Sequence, residues 1–461
     1  MKVLLINSPS ADRPVVRDMA GGLGFDGGNA VVLPPLDLAY LAAGLLGKGH
    51  QAEIIDAGAA GLTRGAAHEL IRARKADAVI ATVSLPVLYG DCAFLKEMGA
   101  YFKGKIIAKT GIAYPPILKE ILEKSSAGLC IYGECELEID KVISGEEKRG
   151  TAYLAAGELR VEPNLLVEDL DALPLPARSL LDNGRYKYVL LGGNTTVMQT
   201  SRGCPFPCAY YCAYPLVQGR KWRHRSPGHV LREIEDIVGN HGIRSILFRD
   251  ATFTMDKDRT HAVCDLIIAG KFGIKWWCET RVDRLDEPLM RKMKAAGCAG
   301  INIGVESGDT EVMETQAKIG MTFDKLKAVR DAARTLGLRL HFLLMVGLPR
   351  ESRRSIYETY KLMTALKPET IGVTILTPYP GTPFYHEAKS KGFIETENWS
   401  DFGGHKPVMH TAALSSEDLS YAQRTLNDIF YLRKAGLYAR FKAALLAGRL
   451  KKWAMKISDG K

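Results

Sequence analysis

Three cysteines stand four residues apart in TSRGCPFPCAYYCAYP, residues 200–215: Cys204, Cys208 and Cys212. Pro205 and Pro207 keep the first half of this stretch from becoming helix, so the thiols sit in a loop directly after a strand-like run. A structural zinc ion wants four protein ligands, commonly from paired C-x-x-C units, and a catalytic zinc prefers histidine; no second pair is present. Three thiolates in one short loop match an iron–sulfur cluster that leaves one iron open to a substrate or cofactor. The bland alternative, three packed structural thiols, leaves the loop position, the prolines and the tight spacing without a reason.

Elements must position such a loop. From Thr195 the chain alternates six strand-like runs, TTVMQTS, SILFRD, KWWCET, GINIGVE, RLHFLLMVG and TIGVTIL, with helical patterns such as PGHVLREIEDIV and FDKLKAVRDAARTLG. That is too few repeats for a closed eightfold barrel of about 250 residues and predicts an open, partial barrel over residues 193–395, with its site at the C-terminal mouth. Asp250, Glu279, Arg281, Glu306 and Ser307 fall at those strand ends; strand ends also turn polar simply where they reach water.

Residues 1–150 alternate KVLLINS, AEIIDAG, DAVIATVS, KIIAKTG and GLCIYGE with helical stretches, the pattern of a parallel, doubly wound Rossmann-like α/β domain. Such sheets bind ligands at the carboxyl ends of their strands, which marks Asn7, Asp56, Ser84, Gly111 and Gly133 as a crevice. The G-x-G-x-x-G and G-x-x-x-x-G-K-[ST] motifs of dinucleotide and P-loop sites are missing. Residues 11–35 are too long for an ordinary connection and predict a functional loop at the strand ends or a plain surface loop. Residues 151–192, with LDALPLPARSLLDN, read as an extended linker. Residues 396–461 read as a helical region with Ser415 or Ser416 as N-cap. There Arg433, Lys434, Arg440, Lys442, Arg449, Lys451 and Lys452 interleave with apolar residues, predicting an amphipathic basic helix that caps the barrel or lies on a membrane surface.

The 461 residues, 46% hydrophobic and 25% charged, predict a globular chain of two or three domains. No run of roughly 18 apolar residues occurs, and MKVLLINSPS reads as a first strand rather than a signal peptide, so the expectation is a cytoplasmic protein. Nine cysteines, mostly scattered, suit a reducing compartment rather than a disulfide framework. The net charge of +10 is spread along the chain without a recognised nucleic-acid module, which argues against nucleic acid as a partner and for anionic small molecules.

Several segments carry a resemblance. The cysteine loop resembles the cluster loop of radical S-adenosylmethionine (SAM) enzymes. VLPPLDLAYLAAGLLGKGHQAEIIDA and IYGECELEIDKVI resemble the opening and closing segments of the B12-binding domain in that family's cobalamin-binding-domain class. FRDATFT, CETRVDRLDEPLMRKMKAAGC, INIGVESGD, MVGLPRES and TPYPGTPFY resemble successive strand ends of its six-stranded barrel. The resemblance implies that Cys204, Cys208 and Cys212 hold a [4Fe–4S] cluster whose open iron takes the amino and carboxylate groups of SAM. One electron, from a flavodoxin, ferredoxin or dedicated reductase, then breaks a carbon–sulfur bond to give a 5′-deoxyadenosyl radical. By position it carries over Tyr211, Asp250, Thr252, Glu306, Ser307, Met345 and Gly347 as SAM contacts. Asn7, Leu36, Asp56, Ser84, Gly111, Gly133 and Glu134 carry over as cobalamin contacts; no catalytic residue is identified.

The reaction it implies is cobalamin-dependent C-methylation of a small metabolite, natural product or lipid precursor. Cobalamin-free dehydration, cyclisation or rearrangement with a vestigial B12 domain stands as the alternative. Outside this class, an iron–sulfur electron carrier or sensor would not need a barrel with a polar mouth. Two features depart from the family pattern. A second tyrosine widens the usual C-x-x-x-C-x-x-C to C-x-x-x-C-x-x-x-C, a spacing similar to that of a cobalamin-free radical dehydratase. Arg350 stands where a glycine often precedes the glutamate, reflecting a changed turn or an anionic group nearby. The D-x-H-x-x-G pattern is absent, and His50, the first histidine, falls at a helix end.

Overall fold

The computed structural model of the chain describes residues 1–10, 15–17, 23, 25–26, 31–315, 321–404 and 406–455. Most of the 11–35 loop and the last residues of the expected C-terminal helix lie outside the described residues.

Five strands, β1 (Lys2–Asn7), β2 (Gln51–Asp56), β3 (Ala78–Thr82), β4 (Lys105–Lys109) and β5 (Leu129–Ile131), form a parallel sheet in the order β2-β1-β3-β4-β5. The central strand AVIAT is buried at every residue, as a strand covered by helices on both faces must be. The order reverses between β1 and β3, and at such a switch point the flanking loops part to leave a crevice. Residues 151–161, expected in the linker, instead add a hairpin, β6 (Thr151–Ala155) and β7 (Glu158–Val161), antiparallel to β5. Ala156 at φ 49° and Gly157 at φ 82° supply the left-handed pair that a two-residue hairpin turn requires.

The second half holds β8 (Thr195–Met198), β9 (Ser245–Phe248), β10 (Lys275–Thr280), β11 (Cys298–Glu306), β12 (Arg339–Val346) and β13 (Thr370–Ile375), paired in parallel and in chain order. β8 and β13 are the two edges, so the barrel is open, as expected. Ser226, Asp256, Asp286, Thr322 and Ser352 each cap the helix that follows by accepting a bond from its first turn. Each cap fixes where helix begins and therefore how much loop is left at the preceding strand end. Ser415, not Ser416, caps the Ser416–Leu432 helix, and a further helix spans Leu437–Met455. Residues 396–404, within the expected helical region, instead run back over the α/β domain, where the Trp399 indole donates to Glu120 at 3.0 Å and Phe402 is buried.

The two halves meet through an apolar seam that includes Leu36, Tyr40, Leu170, Val197, Leu247 and Trp277. Beside it lies a buried triad. Arg178, from the linker, reaches Glu233 at 2.5 Å and the Val197 carbonyl at 2.8 Å, while Arg225 takes the other Glu233 oxygen. Burial pushes the Glu233 carboxyl up, but Arg225 and Arg178 outweigh it and hold the group below the usual carboxylate range. Removing one member of such a set strands the others without a partner. Glu233→Gln is therefore expected to lower stability by about 3–5 kcal/mol in urea unfolding, while Glu235→Gln, exposed on the same helix, is expected to change it by less than about 0.5 kcal/mol.

Candidate active site

The cysteine loop is pinched at its neck. Ser201–Arg202 pairs antiparallel with Arg223–His224, so the chain between them must leave and return through one gap. Gly203 at φ 84° is needed there, because a Cβ on it would stand 2.1 Å from the Lys221 carbonyl oxygen. The Cys204 amide donates to the Gly219 carbonyl at 3.1 Å, a short 3-10 turn spans Pro207–Tyr210, and the Cys212 amide donates back to the Cys208 carbonyl at 3.1 Å. This turn absorbs the extra tyrosine of the wide spacing. Tyr210 points outward, bonded to Glu387 and packed on Phe384 at 5.6 Å between ring centres. Tyr211 points inward and is buried with Leu348, Leu376, Met409 and Met345 beneath the thiols.

The three thiols feel one another. Burial pushes Cys212 up to about 12, and the neighbouring Cys208 and Cys204 add to that rise. Burial raises Cys204 as well, with Arg281 and Arg220 pulling the other way. Mutual repulsion of this kind opposes three free thiolates and is relieved when a cationic iron centre takes them. Among the described residues no three His, Cys, Asp or Glu side chains converge closely enough for a single ion. A cluster spreads its ligands one to an iron, so the chemistry of this donor set fits a [4Fe–4S] group and leaves the zinc alternative without a ligand set. Arg281 supports the same fit: it stacks 4.0 Å over Phe206 inside the loop, and its Nη1 is buried with no partner.

The other strand-end residues divide into two groups. Glu306 lies beside the thiols, its charge reaching both Tyr211 and Cys212. It sits at φ 62°, just past a bulge between β11 and β12, a strained backbone of the sort found where a side chain is re-aimed into a site. Met345 packs with Tyr211 in the same cluster. Asp250, by contrast, is fully buried and committed, accepting from the Thr200 amide at 3.1 Å, the Thr200 hydroxyl at 2.9 Å and the Ser201 hydroxyl at 2.5 Å. Thr252 turns its hydroxyl to the Ala251 carbonyl, and the Ser307 hydroxyl lies 3.3 Å from that of Thr359. These three brace the loops of the mouth. Glu279 is held by Arg249 and by Asn302, whose own oxygen accepts from Trp277 at 2.6 Å.

Gly347 at φ 93° begins a turn whose amides at Gly347 and Leu348 both donate to Glu351. Arg350 occupies a left-handed position at φ 63°, so the turn keeps the geometry that favours glycine. Arg350 also lines a hollow with Asp309, Glu311, Glu358 and a second arginine, Arg354, so carboxylates lie close to its charge. Of the two explanations raised for the substitution, the anionic surroundings are present, whereas the turn still holds the left-handed geometry that favours glycine.

Across the domain seam, a small cleft of about 50 Å³ lies at the carboxyl ends of the first sheet. Ser84, Gly111, Gly133 and Glu134 line it, together with Arg17, Lys109 and Tyr132 and, from the barrel side, Val217 and Gln218. Asn7 and Asp56 are not brought into it: Asp56 is taken by Asn7 at 2.7 Å, the Ala59 amide at 3.0 Å and the Tyr186 hydroxyl at 3.0 Å. Leu36 is buried in the apolar seam. Glu134 lines the cleft with its carboxylate already gripped by Arg223 at 2.6 and 2.8 Å and by Arg202 at 3.2 Å, while Arg202 also reaches Glu136 at 2.9 Å. Burial works against ionisation of Glu134, and the two arginines hold it below the usual range. Sequence reasoning missed Arg17, Arg202 and Arg223; the only signal was that Arg202 and Arg223 flank the cysteine loop and Arg17 falls within the 11–35 segment.

Two outcomes follow from this geometry. Cys212→Ala is expected to lose most reconstituted iron, sulfide and visible absorbance, whereas Cys298→Ala, buried in the barrel core, keeps them; a full cluster in Cys212→Ala would remove it from the ligand set. Burial raises the Glu351 carboxyl to about 8, against its bonds from Gly347 and Leu348. The folded chain then binds a proton that the unfolded chain releases near the ordinary value, so this stabilisation is complete at low pH and is lost as pH rises through about 8. Glu351→Gln should flatten the fall in unfolding free energy between about pH 4.5 and 8, a fall of up to about 1.4 kcal/mol per pH unit.

Residues 198–363 match the Radical SAM superfamily. Over 443 residues the chain is 29% identical to an uncharacterized methyltransferase of Pyrococcus horikoshii, covering 94% of this chain and 93% of that one. It is 24% identical to an anaerobic magnesium-protoporphyrin IX monomethyl ester cyclase of Cereibacter sphaeroides, over 87% of this chain and 68% of that one. Among solved structures, the cobalamin-dependent SAM radical enzyme OxsB with aqua-cobalamin bound superposes with a TM-score of 0.76 at 15% identity, covering 100% of this chain and 74% of that one. With a cysteine loop at the mouth of an open six-stranded barrel and a switch-point α/β domain ahead of it, residues 198–363 of the chain resemble the radical SAM superfamily and the chain as a whole shares the fold of cobalamin-dependent SAM radical enzymes.

Proposed function

We propose that this enzyme is a methyltransferase that uses cobalamin and acts on an unactivated carbon of a small metabolite, natural product or lipid precursor. One observation carries the reading: the cleft of the α/β domain and the cluster loop share a wall. Val217 and Gln218, which line the cleft, belong to the short Tyr214–Gln218 helix that begins two positions after Cys212. A group held in that cleft would therefore lie beside the site where SAM is cleaved. The near full-length likeness to a protein named as a methyltransferase supports the same reading.

When bound, the cluster supplies the electron that breaks the carbon–sulfur bond of SAM, and cobalamin supplies a carrier for its methyl group. The chain's own residues do the rest. Cys204, Cys208 and Cys212 would hold the cluster, and the apolar wall of Tyr211, Met345, Leu348 and Leu376 keeps water from a carbon radical formed above it. Arg281 offers its unpartnered Nη1 to a carboxylate such as that of SAM. Asp250 holds the start of the loop through Thr200 and Ser201, so the thiols stay in register with the mouth.

A second reading, cobalamin-free cyclisation, dehydration or rearrangement, is favoured by Arg17. Its guanidinium occupies the cleft, bonded to the Ser8 carbonyl at 2.7 Å, the Ser84 hydroxyl at 2.9 Å and Asp91 at 2.6 Å. The space left, about 50 Å³, is far below the few hundred Å³ of an ordinary ligand pocket, so a corrin cofactor requires this strap to withdraw. Anaerobic protein reconstituted with iron, sulfide and hydroxocobalamin separates the two readings. Stoichiometric cobalt, with both 5′-deoxyadenosine and S-adenosylhomocysteine formed from SAM, is the expected result. 5′-Deoxyadenosine without cobalt or S-adenosylhomocysteine would select the second reading.

A further inference from the structure

The Leu437–Met455 helix is apolar on two sides. One side packs on the helices Arg353–Leu366 and Ser416–Leu432, burying Ala443, Leu450 and Ala454 and half-burying Leu446 and Trp453, whose indole donates to Asp418 at 3.0 Å. That side caps the barrel. The other side carries Leu437 (86% exposed), Tyr438 (82%), Phe441 (63%) and Leu445 (51%), which recur at helical spacing and form one ridge on the first half of the helix. Nothing in the described residues covers it.

The charge around this ridge has one sign. Arg440 and Lys442 are exposed beside it, and Arg449, Lys451 and Lys452 continue along the same helix. A hollow next to its first turn is lined by Lys367, Arg433, Lys434 and Arg440, with Thr364 and Glu369 the other polar side chains there. Arg433 and Lys434 are held in place, Arg433 on the hydroxyls of Thr364 at 2.9 Å and Tyr360 at 2.7 Å, and Lys434 on the carbonyls of Pro368 and Glu369. Glu369 gives one carboxylate oxygen to the Leu340 amide at 2.7 Å. No Asp or Glu occurs in the sequence between Asp428 and Asp459.

A ridge of Leu, Tyr and Phe flanked by lysine and arginine, with a cationic hollow at its foot, has the composition of a helix that rests in the headgroup region of an anionic bilayer. Aromatic side chains favour that boundary, with an apolar body and, in tyrosine, a polar tip. We propose that this corner, Lys367, Arg433–Lys434 and the Leu437–Leu445 ridge, docks the enzyme peripherally on an anionic phospholipid surface, with a lipid phosphate over the hollow. The contact is at the base of the barrel. Lys434 grips the turn that leads into the start of β13, whereas the cluster loop follows the end of β8. The docked enzyme would therefore hold its active-site mouth away from the bilayer, which makes the surface an anchor and not an entrance for substrate.

Co-sedimentation of the full-length, anaerobically reconstituted enzyme with phosphatidylglycerol–phosphatidylcholine vesicles and with phosphatidylcholine alone tests this. Binding to the anionic vesicles that weakens steeply with salt is expected, and little binding to the neutral ones. Tyr438→Ser with Phe441→Ser, and separately Arg440→Glu with Lys442→Glu, should each lower partitioning, the charge reversal by on the order of a hundredfold. Neither pair should change 5′-deoxyadenosine formation from SAM in solution, a readout that reports both folding and the cluster site independently. No binding to anionic vesicles at low salt, equal binding to neutral ones, or full binding by both variant pairs would overturn the proposal. So would a stable dimer in light scattering that Phe441→Ser dissociates, which would assign the ridge to a second copy of the chain.

Discussion

The structure turns on a buried carboxylate clasped by two arginines that face each other across a two-residue ladder. Arg202 and Arg223 pair at the neck of the cysteine loop, where like charges side by side would repel, and Glu134 from the α/β domain lies between them. The cost of desolvating three charges is met only because each is well bonded: Glu134 also accepts from the Val167 amide, Arg223 also donates to the Val167 and Gln218 carbonyls, and Arg202 also reaches Glu136. A clasp of this kind tolerates little displacement. It fixes the loop that carries the thiols against the domain that carries the cleft, and the two halves of the site share one frame.

Around that clasp the remaining forces act locally. The apolar seam and the Arg178–Glu233–Arg225 triad keep the linker pressed on the barrel. Asp250 pins the residues that enter the neck, and Arg259 reinforces them by donating to the Thr200 carbonyl at 3.0 Å. Strain collects at the mouth, where Glu306 and Arg350 both hold left-handed backbone without being glycine. Such positions persist only where surrounding bonds over-determine them, and both flank the segments that face the thiols.

The cleft and the loop raise a tension. Their shared wall suits transfer between a group in the α/β domain and the cluster site, yet Arg17 fills part of that cleft with a salt bridge to Asp91 in which both side chains are almost wholly buried. An arginine strap that closes a site in the ligand-free chain and one that closes it for good leave the same contacts. The difference lies in whether a ligand binds the open form well enough to displace the strap, a matter of differential affinity rather than of the closed geometry.

Periodicity made the architecture legible from the sequence. The parallel strands of the first sheet and the six of the barrel announced themselves because buried strands are apolar runs and the helices between them repeat at a different period. The thiol loop was legible because proline, glycine and cysteine at close spacing act locally. Residues 151–161 were misread because the left-handed Ala156–Gly157 turn has only glycine to signal it, and the roles of Asp250 and Glu134 were hidden for a different reason. Their partners stand far away in sequence, Glu134 with Arg202 and Arg223, and Asp250 with Thr200 and Ser201. Chemistry carried by neighbouring residues is written in the sequence. Charge pairing across domains, and which strand-end carboxylates stay open to a ligand, is decided only when folding removes water and each buried charge must find its partner.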